Sequence, residues 1–299
     1  MNISEILVAF EKAFSFDVDE MIVLHIDLAS KFDMLQESNA TLTAYLQQDI
    51  TDEKYGMNRP MRPALLICPG GAYQWCSPRE GEPIALAFLP MGFNCFVLNY
   101  SVVPNTWPRA LLEVAAAIEL IYQNAQSWNI DKTKIAICGF SAGGHLAASY
   151  CTCRCFNEIK AYIDAKPVQA ALLCYPVITA QEPICHMNSI LNLNGAERLT
   201  EELVEKFSLE KHVVRGITPP TFLWHTAADQ SVPVQNSILY AGALAREEIP
   251  FELHVFPRGE HGLATADRQT IADFTKMEHV SVNQWIPLAK VWLKDTLDI

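Results

Sequence analysis

The stretch KIAICGFSAGGHLAASY, residues 134–150, constrains the fold of this chain more than any other. Its first half is a short apolar run containing Ile135 and Ile137, and its second half is small and helix-forming. A buried strand must therefore become a helix within a few residues, around Gly139, Ser141 and Gly143. At so tight a turn, side chains two before and two after the serine would run into neighbouring elements, which accounts for the glycines. Ser141 is thereby lifted above the sheet edge at a helix N-terminus, where backbone N–H groups and the helix dipole favour developing negative charge.

The same strand-then-helix rhythm runs through most of the chain. Strands are expected at TLTAYL (41–46), PALLICPG (63–70), NCFVLNY (94–100), VQAALLCYP (168–176), PTFLWHT (220–226) and FELHVFP (251–257). Helices are expected at EGEPIALAFLPMG, ended by Gly92, at 108–128, at VQNSILYAGALAREE and at the C-terminal SVNQWIPLAKVWLKDTL. In the second of these Leu111, Ala115, Ile118 and Tyr122 share a face, with Pro108 in the first turn; in the last, Val282, Trp285, Ala289 and Trp292 do. Buried strands alternating with helices imply an α/β fold with a mostly parallel, doubly wound sheet of about eight strands. No repeats or Gly/Ser linkers interrupt residues 1–299, so a single domain is expected. Residues 1–40, with helical periodicity at Ile6, Phe10 and Phe14, are read as an N-terminal cap segment. The segment 177–218 between strands, with a helix around TEELVEKFSLEKH, is read as a cap or lid insert.

Charge and cysteine content exclude several classes. A formal net charge of -12 disfavours nucleic acid and anionic membrane surfaces as partners. No stretch reaches the roughly 18 unbroken apolar residues of a membrane span. The N-terminus has neither the basic stretch nor the apolar run of a secretory signal, and the nine cysteines are scattered through apolar strands as reduced thiols would be, so a cytoplasmic protein is expected. Cys151, Cys153 and Cys155 lack the spacing of a zinc site and read as helix-end packing, so neither a metal nor a cofactor is expected. Homo-oligomerisation stays open.

Gly-x-Ser-x-Gly alone arises by chance in roughly one chain in ten of this length. A serine hydroxyl is also a poor nucleophile without a base, so an acid and a histidine must follow, each on a loop after a later strand. After PTFLWHT comes AADQSVP, which puts Asp229 on one such loop, and after FELHVFP comes RGEHGLA, which puts His261 on the next. Competitors fit less well: His225 sits at a strand end suited to a turn hydrogen bond, and His254 lies inside a strand. His145 is one helical turn past Ser141 and reads as support for the turn from beneath, and Glu260 is too close to His261 to converge on it.

Acyl transfer needs N–H donors for the tetrahedral oxyanion, each worth about 2.7–4 kcal/mol. Ala142, directly after the serine, supplies one; the loop CPGGAYQW (68–75) is placed to supply others from Gly71 and Ala72. Tyr73 and Trp75 follow, and either line a substrate subsite or pack.

Taken together, PGGAYQWCSPREGEPIALAFLPMGFNCFVLNYSV, IAICGFSAGGHLAAS, PTFLWHTAADQSVP and FELHVFPRGEHGL resemble the α/β-hydrolase esterases related to acetyl xylan esterases and to hormone-sensitive lipase. The similarity runs from about residue 41 to the C-terminus; Pro69 stands where lipase relatives carry His, and Ala72 where Gly is common. The resemblance implies a cofactor-free serine esterase with Ser141, Asp229 and His261 as triad, acting on small acyl, chiefly acetyl, esters of small molecules such as acetylated sugars. A peptidase of the prolyl-oligopeptidase type, a lipase preferring longer chains and a non-catalytic binding protein of the same fold are the alternatives.

Overall fold

The computed structural model describes residues 21–47, 60–271 and 280–299. Its strands are β1 (Ile22–Asp27), β2 (Thr41–Leu46), β3 (Arg62–Cys68), β4 (Asn94–Asn99), β5 (Ile130–Phe140), β6 (Ala170–Cys174), β7 (Thr221–Thr226) and β8 (Phe251–Phe256). They form one sheet in the order β1-β2-β4-β3-β5-β6-β7-β8. β2 is antiparallel to both β1 and β4, and every other neighbouring pair is parallel.

The helices that position the site are α1 (Glu82–Phe88), α2 (Arg109–Gln123), α3 (Ala142–Cys153), α4 (Met187–Asn194), α5 (Glu201–Phe207), α6 (Gln235–Arg246) and α7 (Trp285–Leu297). The central strands are largely apolar where both faces are covered, and all seven residues of β3, Arg62 included, are buried. Strand alternation sorts them into two layers. Leu66 and Cys68 join Leu111, Ala115 and Ile118 of α2 and Leu146 of α3 on one face. Leu65 and Ile67 join Ile84 and Phe88 of α1 and Trp285, Ala289 and Trp292 of α7 on the other. This architecture is the α/β-hydrolase fold.

The structure departs from the sequence reading most clearly at the following places. Residues 22–27 form an edge strand paired with β2 rather than part of a cap, and the periodicity at Ile6, Phe10 and Phe14 lies outside the described residues. The expected helix over 80–92 is shorter: α1 begins at Glu82, after a turn over Pro78–Glu80, and gives way to a second such turn that Gly92 ends at φ 92°. The 177–218 insert carries two helices instead of one, with α5 capped by Thr200 Oγ1, which accepts the Leu203 N–H at 3.3 Å. Its Ile190, Leu193, Phe207 and Leu209 are buried in the same apolar layer as α2 and α3.

Because β3, β5, β6, β7 and β8 are parallel, the loops after Cys68, Phe140, Cys174, Thr226 and Phe256 emerge at one edge of the sheet. Among the described residues, no helix is long and apolar enough to cross a membrane.

Candidate active site

β5 hands over to α3 through Ser141, whose backbone is held at φ 54° and ψ −118°. A non-glycine residue at positive φ costs roughly 1–3 kcal/mol, and the surroundings enforce it. The Ser141 N–H donates to Cys174 O at 3.1 Å, and Ser141 O accepts the N–H groups of Val177 and His145. The flanking glycines are required by contact. A Cβ on Gly139 would meet Gly143 O and come within 2.7 Å of Ala147 Cβ, and one on Gly143 would strike the carbonyls of Cys68 and Pro69.

The loops after β7 and β8 bring two side chains to that turn. His261 Nε2 lies 2.7 Å from Ser141 Oγ, and His261 Nδ1 lies 2.7 Å from Asp229 Oδ2. Asp229 is buried, and its other oxygen accepts the N–H groups of Ser231 and Val232, both at 2.9 Å. His225 Nε2 stands 3.3 Å from Asp229 Oδ2 and 2.9 Å from Val232 O. A carbonyl can only accept, so that nitrogen carries the proton, and Ser237 faces Nδ1 at 2.8 Å. Burial works to raise the Asp229 carboxyl, but hydrogen bonds from His225, His261 and Val232 prevail and hold it below the ordinary carboxylate range. His225 is thus the turn residue expected from its position, and it also serves Asp229. His254 lies at the sheet edge beside Phe222 and pairs with Glu252 at 3.0 Å.

The loop after β3 approaches Ser141 from the other side. Its chain passes through positive φ at Gly71 (134°), Ala72 (56°) and Tyr73 (57°). Among the described residues nothing accepts a hydrogen bond from the N–H of Gly71 or Ala72, and Ala142 is the first residue of α3, where no preceding turn of helix exists to accept its N–H. A Cβ on Gly70 would lie 2.8 Å from Phe140 O and 2.9 Å from Ser141 Cβ, so only glycine lets the loop come this near.

Supports that the sequence did not reveal fix this loop. Glu80, buried, accepts the Gly70 N–H at 2.8 Å with one oxygen and the Tyr175 hydroxyl at 2.6 Å with the other. The Tyr175 oxygen in turn accepts the Ala264 N–H at 2.9 Å, and its ring meets that of His261 edge-on at 5.0 Å. One carboxylate therefore links the Gly71 loop to the His261 loop. From the insert, Asn192 Nδ2 donates to Ala72 O at 2.8 Å.

Of the two aromatics, Trp75 lines the cavity and is 52% exposed, whereas Tyr73 is buried behind the loop and takes no part in lining it. His145 Nε2 donates to Phe207 O at 3.3 Å, so its unprotonated Nδ1 accepts the Tyr73 hydroxyl at 3.0 Å. Burial pushes the His145 imidazole down to about 4. It supports the serine turn as its position suggested, and it also joins α3 to the Gly71 loop and the insert.

The cavity in front of Ser141 has a volume of about 220 Å³ and is walled by Gly71, Ala72, Trp75, Ser77, Arg79, Glu80, His186, Ser231, His261 and Gly262. Arg79, Ser77 and His186 carry no sequence signal that marks them out. Cys151 and Cys153 lie buried in α3, where burial raises their thiols to about 12 and about 11. Among the described residues no group of His, Cys, Asp and Glu is arranged to hold a metal ion.

Comparison with known proteins gives the same picture of the fold. The family model BD-FAE matches residues 49–244. Endo-1,4-beta-xylanase B of Butyrivibrio fibrisolvens is 39% identical over 248 residues, covering 80% of this chain and 37% of the xylanase. The acetylxylan esterase of Xylanibacter ruminicola is 29% identical over 206 residues, covering 68% of this chain and 41% of that protein. The chain thus spans less than half the length of either curated relative. The crystal structure of an acetyl ester-xyloside bifunctional hydrolase from Caldicellulosiruptor lactoaceticus superposes with a TM-score of 0.75 at 34% identity, over 91% of this chain and 96% of that one.

Proposed function

The chain belongs to the BD-FAE family, and we propose that it is a serine carboxylesterase that hydrolyses small acyl esters, acetyl esters of carbohydrates foremost, through an acyl-enzyme on Ser141. The observation that carries this reading is the unbroken chain from Ser141 Oγ through His261 to Asp229, with 2.7 Å at each junction. It opens onto a cavity of about 220 Å³, small against the roughly 300–1,000 Å³ of drug-sized ligand pockets. The names of its relatives, an acetylxylan esterase and an acetyl ester-xyloside hydrolase, support the choice of acyl group and alcohol.

His261 Nε2 takes the proton of Ser141 as the oxygen attacks the ester carbonyl. The N–H groups of Gly71, Ala72 and Ala142 receive the oxyanion. Asp229, kept anionic, fixes the histidine tautomer and offsets the imidazolium charge. His261 then returns the proton to the departing alcohol, and later activates the water that frees the acid. Residues 177–218 act as the cap: they contribute His186 to the cavity wall and hold the oxyanion loop through Asn192.

Steady-state hydrolysis of p-nitrophenyl esters from acetate to octanoate, alongside acetylated xylose and xylo-oligosaccharides, tests the reading. Acetate should be the best of the series and acetylated sugars should be turned over, with Ser141→Ala inactive on all. A maximum at octanoate would refute the small-acyl assignment, and release of amines from peptidyl substrates in preference to acids from esters would refute the esterase assignment.

A further inference from the structure

Arg79 brings a positive charge to the wall of the cavity that holds Ser141 and His261. Its Nη1 donates to Thr270 O at 2.9 Å, which fixes the guanidinium against the loop that follows His261. A Cβ built on Gly262 would lie 3.5 Å from Arg79 Nη2, so the other arm of the fork rests beside the residue next to His261. Among the described residues no carboxylate pairs with it. The adjacent Glu80 has both oxygens engaged by Gly70 and Tyr175. In a chain with 34 acidic and 22 basic residues, a guanidinium without an acidic partner is an arrangement that favours an incoming anion.

Two further features of the same wall point to a ligand. Ser77 Oγ is buried and has no hydrogen-bond partner among the described residues, although a hydroxyl removed from water costs free energy unless it is paired. Trp75, 52% exposed, offers a flat apolar face to a ring.

The chemistry fixes which part of the ester meets Arg79. His261 must hand its proton to the leaving oxygen, so the alcohol departs on the histidine's side of Ser141. Arg79 Nη2 rests against Gly262 on that side. We propose that Arg79 recognises a carboxylate on the alcohol portion of the substrate, so that acyl esters of uronic acids are preferred to those of neutral sugars. This rests on the esterase reading of the site.

The test compares kcat/KM for an acetylated methyl glucuronoside with that for the corresponding glucuronamide, which has the same shape without the charge, in wild type, Arg79→Gln and Arg79→Lys. A hemisuccinate ester of a neutral sugar places the carboxylate on the acyl side instead. Wild type should prefer the glucuronoside by on the order of tenfold, the worth of a charge-assisted hydrogen bond. Arg79→Gln should bring that ratio close to one, Arg79→Lys should keep part of it, and raised salt should shrink it. The neutral amide absorbs any loss from the broken Thr270 contact, because that loss would lower both rates alike. A wild-type ratio near one, an equal loss on both substrates in Arg79→Gln, or a preference for the hemisuccinate alone would overturn the proposal while leaving the esterase reading intact. Failure of wild type to hydrolyse any of the esters would overturn both.

Discussion

The Tyr175 hydroxyl donates to Glu80 Oε1 at 2.6 Å, and through that bond the loop carrying Gly71 is tied to the loop carrying His261. A glutamine at position 80 has one carbonyl oxygen where two acceptors are needed, so Glu80→Gln must turn its NH2 toward either the Gly70 N–H or the Tyr175 O–H. With about 1–3 kcal/mol at stake for a buried unsatisfied group, kcat on p-nitrophenyl acetate should fall roughly ten- to a hundredfold. Tyr175→Phe, which keeps the ring against His261, should lose less. Steady-state kinetics with a far-UV circular dichroism control checks both.

Asp229 receives hydrogen bonds from Ser231, Val232 and His261 that an amide cannot all satisfy. Asp229→Asn should lower kcat by on the order of 10³–10⁴ through the wrong histidine tautomer, with the fold retained. A loss of less than about tenfold would assign Asp229 a merely structural role.

Two glycines should respond in opposite directions. Gly143→Ala drives a methyl into the carbonyls of Cys68 and Pro69 and should destabilise by roughly 1–3 kcal/mol. Gly242, inside α6, has only the end of Arg246 near its missing Cβ, at 4.0 Å, so Gly242→Ala should stabilise by about 0.5–1 kcal/mol. Urea midpoints measured on the two variants decide the matter.

His145 carries a pH signature. Its imidazole is pushed by burial from 6.5 to about 4, a lowered folded-state value, so neutral His145 favours the fold above pH 6.5 and that contribution fades as pH falls toward 4. The full span is worth on the order of 3 kcal/mol. The thermal midpoint of wild type should drop across this window, and His145→Gln should be less stable at neutral pH with a flatter profile. Parallel profiles for the two proteins would show that other groups carry the acid sensitivity.

The convergence of Ser141, Asp229 and His261 could be read in the sequence because each follows a strand that announces itself, KIAICGF before Ser141, PTFLWHT before Asp229 and FELHVFP before His261. The same local logic gave the serine turn and the Gly71 loop. Glu80 and Tyr175 could not be read this way, since they lie 95 residues apart and their meeting depends on how two loops pack above the sheet. Tyr73 and Trp75 lie two residues apart with similar chemistry, and the sequence holds nothing to tell that Tyr73 is buried against His145 while Trp75 lines the cavity. β1 escaped because its alternation is short: half-buried Leu24 and Ile26 alternate with exposed His25 and Asp27, but the exposed pair Ile22 and Val23 interrupts the pattern at its start.

The claim on which the rest depends is that Ser141 is the nucleophile. Incubation with a fluorophosphonate that phosphonylates activated serines, followed by intact-mass and peptide mass spectrometry, measures this directly. One adduct per chain should form on the peptide containing Ser141, with loss of esterase activity in step, and Ser141→Ala should take up none. An adduct on another residue, or none on Ser141 while ester hydrolysis continues, would contradict the account.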